Sequence, residues 1–197
     1  MNERKPELQD GDALLVVDVQ NDFLPGGSLA VADGDAVVPV LNRWIAAFRT
    51  RGLPVFFTRD WHPAGHSSFV SHGGPWPPHC IAGSYGADFA PGLEVPEHAE
   101  IVSKAKDKDR DAYSGFEGTN LAQRLRELGV RRVFIGGLTA DYCVVESVKD
   151  ARAAGFEVWV LSAAVRAVDA TPGDGERAFA RMSGAGARFT AAATPLA

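Results

Sequence analysis

The sequence predicts an α/β fold, with six short strands forming a mainly parallel sheet and helices between them. Three observations predict it. Short apolar runs rich in β-branched and aromatic residues alternate with helical patterns along the chain. The first run, Ala13-Leu14-Leu15-Val16-Val17, is apolar at every position, as a strand covered on both faces requires. Glycines and prolines fall between the patterned segments: Pro25-Gly26-Gly27, Gly52, Gly129 and Gly155.

Composition sets the outer limits. At 197 residues, residues 1–197 read as one domain with a substantial core. A hydrophobic content of 46% with 23% charged residues is that of a soluble globular protein. The net charge of -5 argues against nucleic acid or an anionic membrane as a partner. No apolar run is long enough to span a bilayer. Residues 1–12 read as a polar tail rather than a secretory signal. Two cysteines, Cys80 and Cys143, fit a reducing, cytoplasmic setting better than a disulfide framework.

The elements follow in order. The first strand ends at Asp18. A helix is predicted from Asp35 to Arg51, with Val37, Leu41, Ile45 and Phe48 on one face. Pro54 to Thr58 reads as the second strand, ending at Asp60. Residues 61–96 lose all regular pattern but are dense in Trp, Phe and His, which argues for a functional segment. Glu100 to Ser103 is a third strand, closed by Lys104. Thr119 is the expected N-cap of a helix with Leu121, Leu125 and Leu128 inward. Arg132 to Ile135 is the fourth strand, followed by a turn on Gly136-Gly137 and a helix from Asp141 to Ala154, with Cys143 in its first turn. Phe156 to Leu161 is the fifth strand. Thr171-Pro172 opens a last helix with Ala178, Phe179 and Met182 inward. Ala187 to Thr190 is an edge strand.

In open parallel sheets, sites form beyond the carboxyl ends of the strands. Here those ends carry Asp18, Asp60, Lys104 and the turn before Cys143, all chemically capable. Asp18, Lys104 and Cys143 form a candidate nucleophile group. A carboxylate accepts the thiol proton, a lysine ammonium favours the thiolate, and the start of a helix favours it further. The backbone N–H groups of Thr139 and Cys143 are candidate oxyanion donors. Asp60-Trp61-His62 at a strand end, with His79 in Trp76-Pro77-Pro78-His79-Cys80, supplies two histidines and a carboxylate, a set that binds catalytic metals. His66 is a candidate fourth ligand or a donor behind the first three. His72 and His98 read as ordinary loop histidines, and Cys80 as a buried hydrophobe.

Together these residues resemble the nicotinamidase/pyrazinamidase family of the isochorismatase-like cysteine hydrolases. The similarity runs from Val16 to about Val165. It rests on Val17-Asp18-Val19-Gln20-Asn21-Asp22-Phe23, Asp60-x-His62, Trp76 to Cys80, Ile101 to Lys104, Tyr113-Ser114-Gly115-Phe116 and Thr139 to Val144. The resemblance implies a three-layer α/β/α sandwich. It also implies one divalent metal, zinc foremost with iron or manganese as alternatives, and conversion of nicotinamide to nicotinate and ammonia through a cysteine thioester, a step of NAD salvage. It further implies a cis peptide at Leu138-Thr139, although many relatives carry alanine where this chain has Thr139. Phe23 and Trp76 would line the ring pocket. The implied partner is a small-molecule amide, with a homo-oligomer left open. Three other readings are a related isochorismatase-like amidase acting on another small amide, an iron oxygenase built on the two-histidine, one-carboxylate set, and a metal-stabilised scaffold without catalysis.

Overall fold

In the computed structural model, which describes residues 6–195, the chain alternates strands and helices from end to end. The order is β1 (Asp12–Val17), α1 (Val37–Thr50), β2 (Val55–Asp60), β3 (Glu100–Lys104), α2 (Leu121–Glu127), β4 (Arg132–Leu138), α3 (Val145–Ala153), β5 (Glu157–Arg166), α4 (Asp174–Gly184) and β6 (Arg188–Thr190). The strands form one six-stranded sheet in the order β3-β2-β1-β4-β5-β6, and every pairing is parallel. The order reverses between β1 and β4, where the chain crosses back over the sheet. A switch point of this kind opens a crevice at the carboxyl ends of the strands.

Side-chain alternation builds the three layers. Leu14 and Val16 point to the face covered by α1, where Leu41, Trp44, Ile45 and Phe48 meet Phe57 and Phe134. Ala13, Leu15 and Val17 point to the opposite face, covered by α2, α3 and α4 through Leu121, Leu125, Val148, Ala151, Ala178 and Met182. Trp44 and Phe48 each hold a ring centroid 5.5 Å from that of Phe134. Each such side chain, fully buried, contributes roughly 1.5–3 kcal/mol from apolar burial.

Several local expectations change. The polar tail is shorter than residues 1–12: its first five residues lie outside the described residues, while Leu8 packs in the core and Asp12 opens β1. Buried Asp12 is held by a two-pronged contact from Arg132, Nε to Oδ1 at 2.7 Å and Nη2 to Oδ2 at 2.6 Å. The glycines before Cys143 do not make the turn; they belong to β4. Gly137 has φ 129°, and a Cβ there would lie 2.0 Å from the Val17 carbonyl oxygen. Gly137 therefore allows β4 to approach the end of β1 closely, while a Cβ at Gly136 would meet Leu41 and Ala164. Beyond it, Gly137 and Leu138 pair with Val165 and Arg166, so β5 runs past Leu161. On α2, Leu128 is 46% exposed instead of inward, because the helix ends at Glu127. Thr119 does accept the Leu121 N–H, at 3.3 Å, although Asn120 precedes the helix. Helix α4 starts two residues later than Pro172, after Gly173 in the left-handed region, with Asp174 accepting the Thr171 N–H at 2.9 Å. Phe179 is half-buried against Phe189.

Candidate active site

Four strand ends deliver the side chains to one place. Asp18 follows β1 with φ 47°, Asp60 and Lys104 close β2 and β3, and Cys143 lies in a π-turn, Ala140–Val144, between β4 and α3. Lys104 is fully buried and sits at the centre. Its Nζ is 3.0 Å from Asp18 Oδ2, 2.5 Å from Asp60 Oδ1, 3.4 Å from Cys143 Sγ and 3.2 Å from the Ala112 carbonyl oxygen. The Thr58 hydroxyl donates to the other Asp18 oxygen at 2.6 Å. The sequence assigns Thr58 only to the strand, yet its spacing of two from Asp60 on β2 puts both side chains on the same face.

The electrostatics differ from the simple helix-terminus expectation. Burial pushes the Cys143 thiol well above its ordinary value; Lys104 pulls the other way, and Asp18 and Asp60 add to the rise. The resting thiol is therefore protonated and needs a base. Burial also raises the Asp18 carboxyl, against the pull of Lys104 and with a further push from Asp60. Burial would raise Asp60 too, but Lys104 and His62 outweigh it and hold that carboxyl below the usual range. Burial would lower Lys104, but its carboxylate neighbours hold it firmly charged. One carboxyl is thus kept ionised and the other lifted towards proton exchange, the kind of split that acid–base work uses.

Beside this group, ligand atoms of Asp60, His62 and His79 lie within 4.8 Å of one another. Asp60 Oδ2 is 3.7 Å from His62 Nε2. The His79 Nδ1–H donates to the Pro77 carbonyl at 2.8 Å, which leaves Nε2 with a free lone pair. Both ring nitrogens of His62 are buried with no hydrogen-bond partner among the described residues. Buried polar atoms of this kind are normally satisfied, so the trio fits a bound cation. His66 packs on His62 with ring centroids 4.3 Å apart, but its nitrogens already meet Ser68 Oγ at 2.7 Å and the Arg110 carbonyl at 3.3 Å. His72 and His98 are exposed and outside the cluster. Cys80 is fully buried, and burial pushes its thiol well above the ordinary range.

Between the two groups lies a small, largely apolar pocket lined by Phe23, Trp76, His79, Thr139 and Cys143, with Tyr113, Tyr142, Leu29 and Val168 completing the wall. Phe23 and Trp76 are the residues the resemblance implies for the ring pocket, and Thr139 is the candidate oxyanion donor; Tyr113 and Tyr142, which the sequence offers only as parts of motifs, join them. Trp76 Nε1–H donates to the Tyr113 hydroxyl at 3.1 Å and meets the Tyr142 ring edge-on at 4.9 Å. Such a mutually braced aromatic wall suits a flat ring. The peptide Leu138-Thr139 is cis. Asp141 accepts the Val168 and Asp169 N–H groups at 3.1 and 2.8 Å, tying the far wall to the π-turn.

Comparison with known proteins agrees with this geometry. A family model described as the isochorismatase domain matches residues 12–194. The nicotinamidase of Escherichia coli K12 is 39% identical over 196 residues, covering 89% of this chain and 92% of its own. A pyrazinamidase of Pyrococcus horikoshii, solved in complex with zinc, is 47% identical with a TM-score of 0.87, covering 91% of this chain and 98% of its own. PnC1 from L. infantum, solved in complex with nicotinate, is 37% identical with a TM-score of 0.85, covering 93% and 94%. With its strand-end lysine, π-turn cysteine and loop histidines on the same scaffold, the chain belongs to the isochorismatase-like family, in its nicotinamidase/pyrazinamidase branch.

Proposed function

We propose that this protein hydrolyses nicotinamide to nicotinate and ammonia, with Cys143 as nucleophile. The observation that carries the reading is the position of Lys104, whose ammonium touches Asp18, Asp60 and Cys143 at once beneath an aromatic-walled pocket. The relatives named for nicotinamide and pyrazinamide hydrolysis, and the neighbour that holds nicotinate, support the same substrate class.

The reaction follows from the local chemistry. Asp18 accepts the Cys143 proton as the sulfur attacks the carboxamide carbon. The N–H groups of Thr139 and Cys143 stabilise the oxyanion. Collapse breaks the C–N bond, Asp18 returns the proton to the leaving nitrogen, and ammonia departs, leaving a thioester on Cys143. Asp18 then takes a proton from water; the resulting attack releases nicotinate and restores the thiol. Lys104 stays charged throughout and balances the carboxylates. Phe23, Trp76, Tyr113 and Tyr142 hold the ring.

Asp60, His62 and His79 would hold one divalent metal, zinc foremost, with iron or manganese as alternatives. His66 acts behind them by packing on His62. The bound ion supplies a Lewis-acidic anchor for a ring nitrogen or its water. An oxygenase reading leaves Asp18, Lys104 and Cys143 without a role. A scaffold reading leaves a fully buried lysine between two carboxylates unexplained. Among the described residues no helix is long and apolar enough to cross a membrane. The deciding experiment is ammonia release from nicotinamide by the purified protein, before and after chelation. No release from the metal-loaded protein overturns the assignment.

A further inference from the structure

The three candidate ligands come from the end of a strand and from a long segment without regular structure, so something outside the pocket must hold them in place. Two polar side chains just after Asp18 do so. Gln20 is fully buried. Its amide nitrogen donates to the Asp60 carbonyl at 2.8 Å and the Ala87 carbonyl at 2.9 Å, and its oxygen accepts the Asp60 N–H at 2.8 Å. Both backbone polar groups of Asp60 therefore close on a single side chain, and that side chain is anchored at a third point. Asp22 reaches the other half of the cluster. Its Oδ2 accepts the Cys80 N–H at 2.7 Å. Cys80 has φ 45°, a region that a side chain other than glycine adopts only when its surroundings impose it. It directly follows His79. The loop at Tyr85–Ala87 packs onto the same carboxylate, so closely that a Cβ at Gly86 would lie 2.1 Å from Asp22 Oδ2. Phe23 completes the contact, its ring centroid 5.8 Å from that of His79.

We infer that Gln20 and Asp22 are positioning residues for metal binding: Gln20 fixes the main chain of Asp60, and Asp22 fixes the turn that presents His79. The inference rests on the proposal that Asp60, His62 and His79 hold a metal. A single seven-residue stretch, Val17 to Phe23, then serves both halves of the site. Asp18 has a carboxylate oxygen within 4.8 Å of the Cys143 sulfur, while Gln20 and Asp22 face the ligands.

The test is zinc affinity, measured by competition with a chromophoric chelator on the parent chain, Gln20→Met and Asp22→Asn. Gln20→Met keeps the bulk and removes all three hydrogen bonds. Asp22→Asn keeps an acceptor oxygen and is the milder change if the first variant does not fold. The expected result is a zinc dissociation constant raised about 10- to 100-fold, with ammonia release lost at limiting zinc and restored by excess zinc. A merely structural role predicts a lower melting temperature of the zinc-free variants with zinc affinity equal to the parent, and that result overturns the inference. A parent chain that binds no zinc overturns the metal assignment itself, a distinct outcome seen before any variant is made.

Discussion

Lys104 Nζ lies 2.5 Å from Asp60 Oδ1, and this buried ion pair joins the thiol group to the candidate metal ligands. Asp60 divides its carboxylate: Oδ1 meets the lysine, and Oδ2 faces His62 at 3.7 Å. Asp18 completes the pair on the other side of the ammonium at 3.0 Å. Charge added or removed at any of these positions is therefore felt at the others, because little water is present to screen it.

Replacing the cation tests that coupling directly. Lys104→Met leaves two buried carboxylates facing each other without compensation. Ammonia release should fall by about 10²-fold or more, and Asp60 should bind a proton more readily. Lys104→Arg should fail as well, because a planar fork does not reproduce the single ammonium that meets Asp18, Asp60 and Cys143 at once. A Lys104→Met enzyme with ordinary turnover would remove lysine from the mechanism.

Ionisation and turnover should separate in Asp18→Asn. Asp18 is among the groups that raise the Cys143 thiol, so its loss moves the thiol downward, towards the thiolate that Lys104 favours. Alkylation of Cys143 by iodoacetamide at neutral pH should become faster than in the parent. Ammonia release should still fall by about 10²- to 10⁴-fold, since nothing remains to protonate the leaving nitrogen. Slower alkylation would mean that Asp18 already holds the thiol proton in the resting enzyme.

Cys143→Ala should abolish ammonia release with metal content unchanged. Cys80→Ala should leave the labelling rate at Cys143 as in the parent, since Cys143 opens on the pocket and Cys80 does not line it. Peptide mapping after brief iodoacetamide treatment reads both. Residual turnover in Cys143→Ala would sink the thioester route.

Thr139→Ala should retain activity within about tenfold, because the contact assigned to Thr139 is a backbone N–H that any residue other than proline supplies. Steady-state kinetics on nicotinamide decide this. A loss approaching that of Cys143→Ala would show that the hydroxyl takes part.

Far from the site, Arg132→Met should lower stability by about 2–3 kcal/mol by leaving Asp12 buried without its partner. That corresponds to a fall of roughly 5–10 °C in melting temperature. Activity per folded molecule should not change, and a loss of turnover without a loss of stability would contradict the purely structural role of this pair.

The alternating fold and most members of the candidate site are legible in the chain. Apolar runs ending in Asp18, Asp60 and Lys104 are local patterns, and the rule that sites gather at the carboxyl ends of parallel strands converts them into a place. Local patterns also indicated Cys143 and His79. What depends on distance between segments far apart in the chain becomes visible only once the chain is folded. Gly136-Gly137 reads locally as a turn but lies within β4, where Gly137 serves the close approach to the end of β1. Tyr113 and Tyr142 become a pocket wall only when Trp76 is brought against them. Gln20 and Asp22 gain their roles only when residues 60 and 80 fold back over them. The ionisation of Cys143 turned on burial, which outweighs the pull of Lys104 and has no signature in the sequence around the thiol.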